Sequence, residues 1–383
     1  MNEQITNRSE IKLYEYFLYV IVTIFIFILA VPVIIVKFIS YLIRSLGAPL
    51  KSVGNFIGFM LVLFIAAAGL LAFEIFVPYN IGPETRSVMV EENDSFGGVI
   101  DELLDENVLR GATLFKWLAV ISGTDKMLAP GRYDFSGKVS HYSILTKFRR
   151  RDIATTMVTI PEGLDVYRTA GILGRSLGID SAAIAARAFD TSFTVARFGM
   201  PGLEGYLYPE TYQFWYGIKI DDILKVMFAE FEKKTKAYLN DLPEGIGSKT
   251  ELITLASIIE AEAMYDDEKP LISSVYHNRL RRNMLLQADP TVIYALGGLN
   301  RPLYYGDLKY DSPYNTYKYK GLPPGPINSP GLEAIKAALN PDKTEYLYFV
   351  ADLSGRHIFS RTLKEHNRAK NRIKKEKREN GAG

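Results

Sequence analysis

Leu252-Ile253-Thr254-Leu255-Ala256-Ser257-Ile258-Ile259-Glu260-Ala261-Glu262-Ala263-Met264 is the stretch on which the reading of this chain turns. Its composition predicts a helix over 252–264, opened at Thr250 or Glu251. Ala256 and Ser257 stand four and three positions before Glu260, so this glutamate shares a helix face with small side chains, while Leu255 and Ile259 lie on or beside an apolar stripe. Most helical glutamates are merely solvated. A carboxyl that emerges among apolar residues has its charged form disfavoured and is suited to hold a proton for delivery, which makes Glu260 the first candidate for acid–base work. Glu262 turns about 200° away on a regular helix, so closeness in sequence does not aim the two carboxylates at one substrate. A supporting role is expected for Glu262.

Downstream, Asp266-Asp267-Glu268 forms an acidic turn before Lys269-Pro270, with Asp267 expected to cap a helix over 269–281. Further helices are expected at 290–296, capped by Asp289, and at 330–339, capped by Ser329, followed by closing strands at 346–351 and 357–360. Upstream lie helices at 165–173, 181–189 and 220–239. Before these, a turn-rich spacer at 78–83 precedes a strand at 87–91, a helix at 96–109, and a helix at 114–121 capped by Thr113. A strand at 132–135, a helix from Ser140 or His141 to 148 and a strand at 155–160 follow. The fold class is α+β, with a small α+β unit ahead of a larger mixed α/β one.

Three segments stand out: Leu203-Glu204-Gly205-Tyr206-Leu207-Tyr208-Pro209-Glu210-Thr211-Tyr212, Gln287-Ala288-Asp289-Pro290-Thr291 and Ser312-Pro313-Tyr314-Asn315-Thr316-Tyr317. Rings interspersed with amides and carboxylates suit a sugar polymer, because flat apolar surface and short polar groups match its faces and hydroxyls. Packing and turn formation are the alternative in a chain with 24 tyrosines. The four histidines form no H-E-x-x-H, the glycines have no phosphate-loop spacing, and Ser257 lacks a nucleophile elbow. Zero cysteines exclude disulfides, thiolate catalysis and Cys-ligated metal, so neither metal nor cofactor is expected.

The 383 residues are 48% hydrophobic and 23% charged, unevenly spread. Residues 16–36 and 52–73 are uncharged runs, each long enough to cross a hydrocarbon core of roughly 30 Å. Lys37, Arg44 and Lys51 between them, with no acid, place the 37–51 loop on the cytoplasmic face and everything after the second run outside. A multi-pass membrane protein with an extracytoplasmic carboxy-terminal part is expected. The net charge of +2 sums a tail of +6 over 361–383 and a body of −4. That tail reads as a solvated helix end or as a contact for anionic polymer.

Leu255-Ala256-Ser257-Ile258-Ile259-Glu260, His277-Asn278-Arg279-Leu280, Leu286-Gln287-Ala288-Asp289-Pro290-Thr291-Val292-Ile293-Tyr294, Tyr314-Asn315-Thr316-Tyr317, Gly321-Leu322-Pro323-Pro324-Gly325-Pro326-Ile327 and Tyr346-Leu347-Tyr348-Phe349-Val350-Ala351-Asp352 closely resemble the YceG-like endolytic murein transglycosylases. The resemblance runs over about 87–370 and rests on several motifs in one order. It implies a bacterial membrane-anchored enzyme with a small LysM-like domain at 87–160, a catalytic domain at 161–370 and a basic tail at 371–383. The remaining segments are an amino-terminal stretch at 1–15, membrane helices at 16–36 and 52–73, and a spacer at 74–86.

The implied activity is that of a carbon–oxygen lyase cutting nascent peptidoglycan internally and leaving 1,6-anhydro-N-acetylmuramic acid ends. The family's essential glutamate maps onto Glu260. Glu210, Gln287, Asp289, Tyr314 and Asn315 become substrate-binding candidates, and Glu262 and Asn278 supporting ones. Implied partners are glycan strands, penicillin-binding proteins with the elongation or division machinery, and membrane lipid, with no nucleic acid. Two membrane runs depart from the family's single amino-terminal helix. A muramidase-type hydrolase and a non-catalytic glycan-binding scaffold are the alternatives.

Overall fold

The computed structural model describes residues 53–239 and 241–380, together with Lys37, Ser40 and Tyr41. The first apolar run, at 16–36, lies outside the described residues, as does most of the loop after it. The second run forms a helix, α1 (Val53–Phe76), whose window Phe59–Phe76 is long and apolar enough to cross a membrane and is not buried against the protein.

The remaining elements are β1 (Tyr79–Val90), α2 (Phe96–Asp105), α3 (Ala112–Ser122), β2 (Gly131–Val139), α4 (His141–Arg149), β3 (Thr155–Thr159), α5 (Val166–Leu177), α6 (Ser181–Ala188) and α7 (Thr191–Phe198). These are followed by β4 (Thr211–Trp215), α8 (Ile220–Thr235), α9 (Lys249–Glu262), α10 (Lys269–Arg281), α11 (Asp289–Ala295), α12 (Leu332–Leu339), β5 (Tyr348–Ala351), β6 (His357–Ser360) and α13 (Leu363–Asn380). The architecture is mixed α and β, with three two-stranded sheets, β1-β2, β3-β4 and β5-β6, among the described residues. Two compact units divide the chain. One comprises the residues up to Arg86 with Leu103–Met127 and Phe135–Arg150; the other comprises Ser87–Glu102, Leu128–Asp134 and everything from Arg151 on.

Several helices begin where short acceptors stand before them. Asp165, Asp180 and Asp190 accept from free backbone N–H groups at the starts of α5, α6 and α7, and Ser248 accepts from Glu251 N–H at the start of α9. Ser140 and Ser143 form a reciprocal capping box on α4. Other expected starts moved. Gly111 rather than Thr113 precedes α3, Gly331 rather than Ser329 precedes α12, and Asp289 is the first residue of α11 instead of its cap. Asp267 leaves the capping of α10 alone and bonds Arg356 at 2.9 Å. The expected spacer at 78–83 is strand, because β2 supplies hydrogen-bonding partners and Gly82 takes the positive φ of 101° that a side chain would resist. Strand β4, absent from the sequence reading, pairs antiparallel with β3, with Val158 opposite Tyr212.

The core of the larger unit forms around α9. Every side chain from Leu252 to Ile259 is buried, so the helix has no solvent stripe and is packed on all sides rather than along one. Ser257 donates to Thr254 C=O, accepts from Ile327 N–H at 3.1 Å, and its carbonyl accepts from Asn328 Nδ2 at 2.8 Å, which binds the 321–327 loop to the helix. His277, Asn278 and Arg279 of α10 donate to the carbonyls of Ala338, of Thr344 and Tyr346, and of Leu347 and Leu286 respectively. These three polar side chains are therefore scaffold, fixing α10 to α12 and to the approach to β5.

Gly205 sits at φ +82°, and a Cβ there would meet Pro326 ring carbons at 2.4 and 2.6 Å. Gly205→Ala is expected to lower stability by more than the roughly 1–2 kcal/mol of the left-handed backbone alone. Denaturant unfolding of the variant and the parent chain measures it.

Candidate active site

The last turn of α9 carries Glu260 and Glu262 into two different environments. Glu260 accepts from Lys269 Nζ at 3.1 and 3.3 Å and from Gly331 N–H at 3.1 Å. The ammonium also meets Asp266 at 2.7 Å and Glu162 at 4.0 Å. The Lys269 side chain is 3% exposed and that of Glu260 10%. A buried cation at the first position of α10 opposes the positive end of that helix, so it needs these carboxylates. Burial pulls the Lys269 pKa down, but bonding to Asp266 and Glu260 outweighs it and the net direction is up. Glu162 lies against Gly331, where a Cβ would clash with its carboxyl at 2.1 Å, and its pKa is raised by burial first and by neighbouring Glu260 second.

Glu262 has no such cation beside it. Tyr276 O–H donates to its Oε1 at 3.1 Å. Burial, aided by the charge of Asp289 and opposed by the Tyr276 bond and Arg279, pushes its pKa up to about 7. Asp289 in turn accepts from Tyr317 O–H at 2.5 Å. The group holds a carboxyl that keeps its proton near neutrality, a second carboxylate in its field and two phenols, all in the larger unit.

Two loops frame this group. Thr291 and Thr316 hydroxyls bond at 2.9 Å, and Ala288 N–H donates to Thr316 Oγ1 at 3.0 Å, latching the 286–291 and 314–317 segments together out of water. Gln287 is exposed and held at φ +50° by its N–H bond to Thr316 C=O, a conformation uncommon for a residue with a side chain. Tyr314 packs on Tyr294 with ring centres 5.0 Å apart.

Residues 88–372 match the model of the YceG-like family. The chain belongs to this family. Over 178 residues it is 46% identical to an endolytic murein transglycosylase of Bacillus subtilis, covering 46% of this chain and 49% of that protein. Over 274 residues it is 31% identical to an endolytic murein transglycosylase of Streptococcus pneumoniae, covering 63% of this chain and 50% of that protein. The chain thus spans about half the length of the curated relatives it matches. The crystal structure of a YceG-like protein from Listeria monocytogenes superposes with a TM-score of 0.52 at 33% identity, covering 74% of this chain and 98% of that one.

Within this YceG-like chain the sequence-derived candidates separate. Asp289 joins Glu262, and Gln287 and Tyr314 lie on the two latched loops. Glu260, three and four positions after Ser257 and Ala256 on the helix, also meets a lysine and a backbone N–H that the sequence did not point to. Asn315 is fully buried, with its amide donating to Leu308 and Tyr310 carbonyls and its oxygen accepting from Tyr317 N–H, so it shapes its own loop. Glu210 is partly exposed and paired with Lys234 at 2.9 Å. Asn278 is the scaffold contact described above.

Sequence reasoning passed over Lys269, Tyr276, Tyr317 and Glu204 as individual site residues. Glu204 is buried, accepts from Val166 N–H at 3.2 Å and Tyr294 O–H at 3.1 Å, and burial pushes its pKa up to about 8. Tyr294 also lines a cavity of about 400 Å³ with Asp165, Tyr167, Arg168 and Asn300. The one available signal for Glu204 was its place in an aromatic-rich segment.

Removing one partner of a buried ion pair strands the other charge. Lys269→Met is expected to cost about 3–5 kcal/mol of stability, read from urea unfolding. Folded Glu204 and Glu262 keep protons that the unfolded chain has released above the ordinary carboxylate range, so stability falls as pH rises toward about 7 for Glu262 and about 8 for Glu204. Melting temperatures at pH 5 and 8 are expected to differ less in Glu204→Gln than in the parent.

Proposed function

We propose that this chain is a membrane-anchored endolytic murein transglycosylase whose proton donor is Glu262. The observation that carries the reading is the environment of Glu262: burial pushes its carboxyl up to about 7, so it is substantially protonated at neutral pH. Glu260, first choice from sequence, is engaged by Lys269 and Gly331 and becomes the group that holds the end of α9 in place. The names of the relatives support the activity.

In this reading the Glu262 carboxyl gives its proton to the oxygen linking N-acetylmuramic acid to N-acetylglucosamine as the bond from that oxygen to muramyl C1 breaks. The muramyl C6 hydroxyl then attacks C1, and its proton passes to the Glu262 carboxylate, which restores the acid. One C–O bond is lost and one formed, so no water is consumed and the strand ends in a 1,6-anhydro sugar. An internal hydroxyl already close to C1 replaces the water that a hydrolase must position, which lessens the need for a second catalytic carboxylate. Asp289 then serves by its field on Glu262 and its bond to Tyr317, while Gln287, turned outward, is a contact for the sugar acetamido group.

The same Asp289 carboxylate supports a second reading, a muramidase-type hydrolase in which it activates water. The products separate the two: anhydro ends for the lyase, reducing ends for the hydrolase. For the other parts of the chain, α1 is the membrane anchor of the reading and residues 87–160 its LysM-like glycan-binding region, with wall-synthesis enzymes as partners.

Purified full-length chain acting on uncrosslinked glycan strands is expected to release anhydro-ended fragments, identified by mass spectrometry. Glu262→Gln is expected to lower the rate by about 100-fold or more while the chain stays folded. The rate is expected to fall with rising pH above about 7, as the acid loses its proton. A folded Glu262→Gln chain that cuts at the parent rate would overturn the assignment. Loss of activity confined to a folded Glu260→Gln would return the role to Glu260.

A further inference from the structure

Helix α3 leaves an apolar face uncovered. Trp117 is 65% exposed, Val120 54% and Ile121 77%, and their spacing of three and four residues puts them on one side of the helix. Phe115 and Ala119 fill the opposite side and are buried. Lys116 is the only charged residue from Ala112 to Ser122. An apolar surface of this size on a short helix, with a tryptophan and a lysine at its border, has the composition of an element lying in a lipid headgroup layer.

The position of α3 in its unit indicates which lipid surface is within reach. Only Val77 and Pro78 separate the end of α1 from the start of β1. The end of α1 is held by side chains of α4: Phe76 packs on Tyr142 with ring centres 5.1 Å apart, and His141 Nδ1 donates to the Glu74 carbonyl at 3.0 Å. The same His141 ring lies 6.1 Å from that of Phe115, on the buried side of α3. Thus α3 stands one side chain away from the last turn of the apolar helix. All of these residues belong to the smaller unit.

We propose that the Trp117, Val120 and Ile121 face of α3 inserts into the headgroup layer of the bilayer that α1 crosses, so that the smaller unit lies against the membrane surface instead of hanging freely from α1. The inference rests on the reading of α1 as an anchor, and its occupant is lipid. A fixed unit at the surface would confine cutting to glycan close to the membrane, where strands are newly made.

Trp117 and Trp215 are the two tryptophans of the chain, and it has no cysteine, so each site can be probed separately. Full-length Trp215→Phe chain, reconstituted into vesicles of phosphatidylglycerol and phosphatidylethanolamine, reports on Trp117 alone. With brominated acyl chains its emission is expected to drop by half or more relative to unbrominated vesicles, and to be blue-shifted. The difference between parent and Trp117→Phe emission gives the same reading if the Trp215→Phe chain fails to fold. A fluorophore on Leu63→Cys in the same vesicles reports on α1.

Quenching at both positions supports the proposal. Quenching at position 63 with unchanged Trp117 emission overturns it and leaves the anchor reading standing. Quenching of Trp117 without quenching at position 63 keeps the lipid contact of α3 and removes the anchor reading.

Discussion

A lysine ammonium buried at the start of a helix is the constraint on which the site depends. Lys269 opens α10, where the helix dipole is unfavourable to a cation, and the cost is offset by bringing Glu260 from the end of α9 and Asp266 from the preceding turn within bonding distance, with Glu162 at 4.0 Å. Glu260 also takes the N–H of Gly331, which precedes α12. One carboxylate thereby ties the end of α9 to the starts of α10 and α12. Glu262 follows two residues later, and its position is inherited from this joint.

The second consequence is a division of chemical labour between two carboxyls in one turn of helix. On one side a cation and a backbone donor meet Glu260. On the other, burial and the charge of Asp289 act on Glu262, with a phenol as its bonding partner. Identical side chains separated by one residue thus have different bonding partners, and the one that meets a phenol instead of an ammonium is suited to carry a proton.

Much of the apparent motif content serves to hold this arrangement still. His277, Asn278 and Arg279 all donate to backbone carbonyls, and Asn315 uses its whole amide inside its own loop. Buried polar groups of this kind must find partners, and here the partners are backbone carbonyls, one in α12 and most of the others in connecting segments. Their effect on the site is indirect: they set the loops that bring Tyr317 to Asp289 and leave Gln287 facing outward.

The sequence by itself determined that the chain is mixed α and β, that 252–262 is helical, and that Glu260 and Glu262 point to different sides, because helix periodicity is a local property of the backbone. It also determined the apolar length of α1 and the motif order that marks the family. Several starts of elements were not legible, since the pairing of β1 with β2 and of β3 with β4 depends on strands tens of residues away. Only the tertiary structure decided which glutamate meets a cation and which meets a phenol. Lys269, Tyr276, Asp289 and Gly331 reach α9 from two other helices and a loop, and the free energy of a proton on a carboxyl depends on what surrounds it in space, not on its neighbours along the chain.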